Sequence, residues 1–186
     1  ARKGFESDLA RRLFERRIIV FASEVSRRSA RDVIAQLLAL SEEDAGRPIR
    51  LFLNSPGGDV DAGFAIFDVI RFVQAPVDVV VTGLAASAGV VILLATPRER
   101  RFSLTNARFL IHQPSSGAHG DASDIEIEAS EILKIRAAIN KLICEETGQP
   151  MEKVEADTRR NYWMGAGEAL QYGLVSRIIA KRDDLV

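Results

Sequence analysis

The sequence predicts an α/β fold, and three observations carry the prediction. Short apolar or β-branched runs, as at residues 49–53, 77–82 and 108–111, read as buried strands. Between them lie stretches whose apolar residues recur at helical spacing, giving repeated strand–strand–helix or strand–helix units. Finally, unusual chemistry sits just past the carboxyl ends of these runs, where open α/β folds build their sites. Asn54-Ser55-Pro56-Gly57-Gly58 follows one run, Ser87 another and His112-Gln113-Pro114 a third.

The elements follow in order. Leu9, Leu13 and Phe14 predict a short amphipathic helix near 8–16, and Ile18-Ile19-Val20-Phe21 a buried strand. Val33, Ile34, Leu37, Leu38 and Leu40 mark the next helix, capped by Ser26 or Ser29 and ended before Pro48. A strand at 49–53, the Gly-Gly turn and a helix near 61–73 follow. Strand 77–82, the Ser87 turn and an apolar helix at 87–95 come next. Residues 101–104 and 108–111 predict two strands with Thr105-Asn106 as a turn between them. The polar stretch 115–121 reads as a loop or edge strand. A long helix then starts at Ser123 or Asp124, with Ser123 and Glu126 as a capping box. Ile125, Ile132, Ile135, Ile139 and Leu142 mark one face, and Gly148 with Pro150 supplies the stop. A helix near 150–159, a helix at 166–172 ended by Gly173 and a strand at 175–179 complete the series.

Composition narrows the classes. At 186 residues the chain is most simply one domain, 1–186, long enough to bury a core. Hydrophobic and charged fractions of 47% and 27% are ordinary for a globular protein. A formal net charge of −1 gives no basic footprint for nucleic acid. The apolar stretch around 85–95 is too short to span a bilayer, so no membrane association is expected. One cysteine, Cys144, rules out an intrachain disulfide and reads as a packed thiol. The N-terminus shows no apolar signal region, while position 1, not being Met, leaves a processed leader open. With no Gly-x-x-x-x-Gly-Lys loop, the chain is expected to bind no ATP, and no cofactor or metal is implied.

Ser87 is the candidate nucleophile. It lies in Gly83-Leu84-Ala85-Ala86-Ser87-Ala88-Gly89, between a strand-like and a helix-like run. A hydroxyl at such a turn sits beside unpaired helix N–H groups that can stabilise an oxyanion. The strict Gly-x-Ser-x-Gly elbow is not met, because Ala85 replaces the first Gly. Taken alone, Ser87 also reads as an ordinary helix cap. A serine nucleophile needs a base of near-neutral pKa, and the chain has two histidines. His112, at a strand end, is a better candidate than His119 in the polar loop, although a structural histidine bonded to backbone fits the same position.

Together these stretches resemble the Clp protease proteolytic subunit (ClpP) family. Asn54 to Gly63 is similar to its N-S-P-G-G-x-V-x-A-G element, Gly83 to Gly89 to its G-x-A-A-S-x-G turn, and Ile111 to Pro114 to its I-H-Q-P. Asp124 to Ile127, Thr147 to Pro150 and Glu168 to Leu174 match D-I-E-I, T-G-Q-P and E-A-x-x-Y-G-L. The resemblance runs from about Phe5 to Ile179. It implies a crotonase-like ββα spiral with a protruding strand–long-helix handle at about 113–147, and an N-terminal axial segment at about 1–17. It implies a serine endopeptidase with Ser87 as nucleophile, His112 as base, and the N–H groups of Gly58 and Ala88 as oxyanion hole. It further implies two stacked heptameric rings, a Clp-type AAA+ unfoldase that alone uses ATP, and unfolded proteins and short peptides as substrates. A bacterial-type cytoplasmic location, or an organelle, goes with it.

The chain departs from the family in the triad. The motif D-T-x-R-D-x-[FW]-M reads here Asp157-Thr158-Arg159-Arg160-Asn161-Tyr162-Trp163-Met164. The position that orients the histidine is therefore Asn161. Its amide oxygen can accept from the imidazole but brings no charge, and in a serine protease the same Asp-to-Asn change costs roughly 10⁴ in kcat, about 5.5 kcal/mol. Asp157 as a surrogate is not expected to reach His112. Ala88 stands where the family commonly has Met, keeping the N–H while reshaping the neighbouring pocket. Gly165 replaces a helix-capping Ser. Arg160 matches an interfacial Arg, with Asp124 as a candidate partner. The competing readings are a low-activity or non-catalytic paralogue acting in mixed rings with an Asp-bearing subunit, and a crotonase-type acyl-CoA enzyme, which has no need for Ser87 and His112.

Overall fold

A computed structural model describes residues 2–114 and 120–185. The polar stretch 115–121 thus lies largely outside the described residues, as does His119. Seven strands form one sheet among the described residues: β1 (Ile18–Phe21), β2 (Ile49–Ser55), β3 (Val77–Ala86), β4 (Arg101–Leu104), β5 (Arg108–Ile111), β6 (Tyr162–Gly165) and β7 (Arg177–Ile179). The helices are α1 (Arg2–Glu15), α2 (Arg27–Glu43), α3 (Val60–Phe72), α4 (Ala88–Leu93), α5 (Ala122–Thr147), α6 (Met151–Thr158) and α7 (Ala166–Tyr172).

The main path β1-β2-β3-β4-β7 is parallel throughout. The first half of β3, an unbroken run covered on both faces, is apolar at nearly every position, while β2 alternates between buried and half-buried or exposed residues. Leu51, Leu53, Val79, Val80 and Val81 are fully buried. β3 is the central organiser. Its first half pairs β4 at Val79 to Val81, and its second half pairs β5 at Leu84 to Ala86. Between the halves lies Gly83, at φ 85°, a value that favours glycine. Opposite it β2 shifts register between Leu53 and Ser55, and Asn54 Oδ1 accepts the Leu84 N–H at 3.1 Å. β3 and β5 thereby bring the turns after them to one end of the sheet.

β4 and β5, consecutive in sequence, both pair with β3 in parallel rather than with each other. β5 pairs antiparallel with β6, a strand that local pattern did not predict. β3 also runs four residues beyond the predicted 77–82, since its partner switch keeps Leu84-Ala85-Ala86 in the ladder. α1 begins earlier than expected, and Leu9 is exposed while Phe14 packs on the core.

Two buried arginines fasten helix ends to strands. Arg17, at φ 58°, donates to the carbonyls of Leu40 (2.8 Å), Asp44 (2.8 Å) and Arg47 (3.0 Å), closing the C-terminus of α2. Arg101 donates to Thr96 O at 2.6 Å, to Glu146 O at 3.0 Å and to the Glu146 carboxylate. Burial pulls its pKa down and Glu146 opposes that pull, a charge taken from water and paired. The contact seats the last turn of α5 against β4. Only the C-terminal third of α5 is buried, through Asn140, Leu142, Ile143 and Thr147, while Ile125, Ile127 and Leu133 are exposed. Its N-cap is Asp121, so Ser123 falls inside the first turn and the expected Ser123–Glu126 capping box does not form. Gly148, at φ 77°, ends the helix as expected.

Candidate active site

Ser87 occupies the single residue between β3 and α4. Its backbone is at φ 54° and ψ −120°, a region that side chains other than glycine seldom enter. Strain of this kind costs about 1–3 kcal/mol and persists only where surroundings over-determine it. Here they do. The Ser87 N–H donates to Leu110 O of β5 at 2.9 Å, and Ser87 O accepts from Val90 N–H at 2.8 Å. Gly57 presses against the turn from β2: a Cβ there would lie 2.7 Å from both Ala86 O and Ser87 Cβ. On the far side a Cβ on Gly63 would lie 3.2 Å from Ala88 Cβ. The Ser87 side chain makes no capping bond to α4, which removes the reading of Ser87 as a helix cap.

Ser87, His112 and Gly58 line one cleft of about 310 Å³, together with Glu24, Pro56, Gly57, Val60 and Pro114. The structure thus brings together three of the five predicted site residues. Ala88 follows Ser87 at the start of α4 and is buried. Gly58, at φ 141°, is fixed by hydrogen bonds on either side: Val25 N–H to Gly57 O at 2.8 Å and Asp59 N–H to Val25 O at 2.9 Å. A Cβ on Gly58 would meet Val25 O at 2.2 Å, so this approach is open only to glycine. Among the described residues the N–H groups of Gly58 and Ala88 have no acceptor. Gly58 lines the cleft, whereas Ala88, the first residue of α4, is buried next to Ser87.

A second cavity opens beside Ser87 and His112, walled by Val90, Val91, Leu94, Ile139, Leu142 and Ile143. It lies between α4 and the buried end of α5, and its lining suits an apolar side chain.

Asn161 is placed differently. The β5–β6 register pairs Arg108 with Gly165 and Ile111 with Tyr162; one further step sets His112 opposite Asn161. Asn161 is exposed and does not line the cleft, and no hydrogen bond joins the two side chains. Asp157 is committed elsewhere: its Oδ2 receives Lys153 Nζ at 2.6 Å and Tyr172 Oη at 3.0 Å. Burial pushes the Tyr172 phenol up, and the Asp157 carboxylate adds to it. Gly165 does cap α7, but through half a capping box, its N–H donating to Glu168 Oε2 at 2.7 Å. Cys144 is a free, partly buried thiol whose pKa burial raises.

Sequence reasoning did not single out Gly57 as the residue that shapes the nucleophile turn. Its signal was present in the Gly57-Gly58 doublet, where one glycine serves Ser87 and the other Val25.

A strained serine between a parallel strand and a helix, sharing a cleft with a histidine from the next strand end, is an arrangement found in serine hydrolases. The Clp protease family matches residues 2–182. The ATP-dependent Clp protease proteolytic subunit 2 of Treponema pallidum is 50% identical over 180 residues, covering 97% of this chain and 90% of that protein. Proteolytic subunit 2 of Treponema denticola is 48% identical over 95% of this chain and 88% of its own length. A solved structure, a ClpP1 Asn-to-Asp mutant from Listeria monocytogenes, superposes with TM-score 0.89 at 44% identity, covering 96% of this chain and 99% of that one. The chain therefore belongs to the Clp protease family, as a proteolytic subunit of an ATP-dependent Clp protease and a serine peptidase with the ClpP-like α/β fold.

Proposed function

We propose that Ser87 Oγ attacks a substrate peptide carbonyl while His112 takes its proton. The carbonyl oxygen becomes an oxyanion held by the N–H groups of Gly58 and Ala88. Collapse of this intermediate breaks the C–N bond, and His112 returns the proton to the leaving amine. Water, activated by His112 in the same way, then releases the acyl group from Ser87. The observation that carries the reading is the strained Ser87, held in one cleft with His112 and Gly58. The apolar recess beside it, about 20 Å³ as it stands, widens to receive a substrate side chain. Asn161, opposite His112 but not bonded to it, supplies no charge to the imidazole, so turnover is slow.

The same reading assigns α5 to a handle, at about 113–147, that packs against a second copy, and α1 to the axial entrance. Exposed Ile125, Ile127 and Leu133 on the uncovered part of α5 support this, since such large apolar side chains left in solvent mark interaction sites. Repeated head-to-tail contact closes a ring, and two heptamers enclose the Ser87 sites. Short peptides and unfolded chains enter such a chamber. Folded proteins need a Clp-type AAA+ unfoldase, which alone binds ATP. Among the described residues no helix is long and apolar enough to cross a membrane. Bacterial relatives favour the cytoplasm.

Asn161, exposed and unbonded to His112, favours a second reading, a low-activity subunit that gains turnover in mixed rings with an Asp-bearing copy. One experiment tests both. The chain is treated with an activated fluorophosphonate, alone and mixed with an Asp-bearing paralogue, and peptide hydrolysis and sedimentation are followed. Labelling at Ser87, with hydrolysis abolished by Ser87→Ala, is expected. An unlabelled Ser87 in every assembly, or a species of about monomer size only, overturns the scheme.

A further inference from the structure

Gln113 follows His112 and grips the end of one helix with two hydrogen bonds. Its backbone N–H donates to Thr158 O at 2.7 Å, and its side-chain Nε2 donates to Arg159 O at 3.1 Å. Both acceptors lie at the C-terminus of α6, where the last carbonyls have no donor within the helix. That helix end is itself fixed. Val154 is fully buried, the Thr158 hydroxyl meets Asn140 Oδ1 of α5 at 3.0 Å, and Tyr172 of α7 bonds Asp157.

The location of this clamp matters for the chemistry. The β5–β6 ladder ends at the Ile111–Tyr162 pair. Beyond it no further strand pairing sets the spacing between His112 and Asn161. The bonds from Gln113 close the far side, one residue past His112 and, at Thr158 and Arg159, three and two residues before Asn161. The His112 and Asn161 backbones are thus held between two fixed points, the ladder and the clamp.

We propose that Gln113 is a positioning residue of the peptidase: its side-chain amide sets how closely His112 and Asn161 approach, and so how often the imidazole is aligned on Ser87. This rests on the assignment of Ser87 and His112 made above. The role requires a donor. A carboxylate of the same shape presents only acceptors to Arg159 O, and a thioether of the same length presents no donor.

The test uses the assembled chain with Gln113→Met and Gln113→Glu, each with and without Asn161→Asp. It measures kcat and KM for a fluorogenic peptide, the rate of fluorophosphonate labelling at Ser87, and Tm. In the Asn161→Asp background, kcat and labelling rate are expected to fall about three- to tenfold, the scale of one lost hydrogen bond, with KM within about twofold. The gain from Asn161→Asp should shrink by a similar factor, because neighbours that act together are not additive. Gln113→Glu provides an isosteric check should Gln113→Met fail to assemble. An unchanged kcat, or a full Asn161→Asp gain in both Gln113 variants, overturns the proposal. Failure of the underlying assignment reads out separately, as hydrolysis that survives Ser87→Ala.

Discussion

The two sides of the cleft are supported in opposite ways. Around Ser87, chain packs closely from β2, α3 and β5; Gly57 leaves no room for a Cβ and Gly63 leaves little. Around His112, support comes from the ladders that end before it on β5 and from one backbone and one side-chain hydrogen bond of Gln113 to the end of α6. The first kind of support is steric and fails abruptly. The second is adjustable, because a hydrogen bond can lengthen or exchange partners at small cost. The Ser87 turn is thereby fixed by the sheet, while the placement of His112 depends on how α5, α6 and β6 sit together.

Four substitutions sharpen or break this contrast. Ser87→Ala removes the nucleophile and is expected to lower kcat by up to about 10⁶, leaving peptide binding intact. A residual rate near that of the unaltered chain would place the chemistry elsewhere. Gly57→Ala tests steric support. The new methyl group must displace Ala86 O or Ser87 itself from a residue at φ 92°, so a loss of about 3 kcal/mol or more in stability is expected, with Ser87 labelling down at least about 100-fold. Near-normal labelling would show that the turn yields and is not sterically held.

Asn161→Asp tests the adjustable side. Adding charge opposite His112 should raise kcat about 10- to 100-fold, short of the full 10⁴ known from a buried triad because Asn161 is exposed. Peptide turnover at fixed oligomeric state is the measurement, and Tm should move little. Gly63→Ala is the mildest. Its Cβ needs only a few tenths of an ångström from the Ala88 methyl, so a cost of about 1 kcal/mol and a kcat change of under about fivefold are expected. A loss as large as that from Gly57→Ala would mean that α3, not β2, sets the turn.

Much of the fold was legible in local pattern. Strands at Ile18–Phe21, Arg101–Leu104 and Arg108–Ile111 fall where apolar runs predict them, and Ser26, Gly148 and Gly173 cap helices as their chemistry requires. β6 was not legible. Tyr162-Trp163-Met164 is too short to show a period and becomes a strand only because β5 offers an open edge. The bulge between Leu53 and Ser55 was hidden for a similar reason, since it answers Gly83 on a strand thirty residues away. At the site, residue types at strand ends pointed to Ser87 and His112, and the family resemblance to Gly58; the three share a cleft. The fixing of Ser87 by Gly57 and of His112 by Gln113 depends on contacts between distant segments, and no local pattern encodes those.

The partner switch of β3 at Gly83 has a consequence for vectorial synthesis. The first hundred or so residues contain β1, β2, β3 and α4, and their pairing is sequential and of short range. The Ser87 segment is therefore made early. The upper half of β3 has no neighbour on its second side until β5 emerges, and β5 stays an open edge until β6, some fifty residues later, is released from the ribosome. Long-range pairing of this kind is slow relative to local contacts. A nascent chain thus carries Ser87 well before it holds His112 in register. Under the proposed mechanism, hydrolytic competence is delayed to the last stage of folding, and a half-made subunit is in no position to cut the unfolded chains around it.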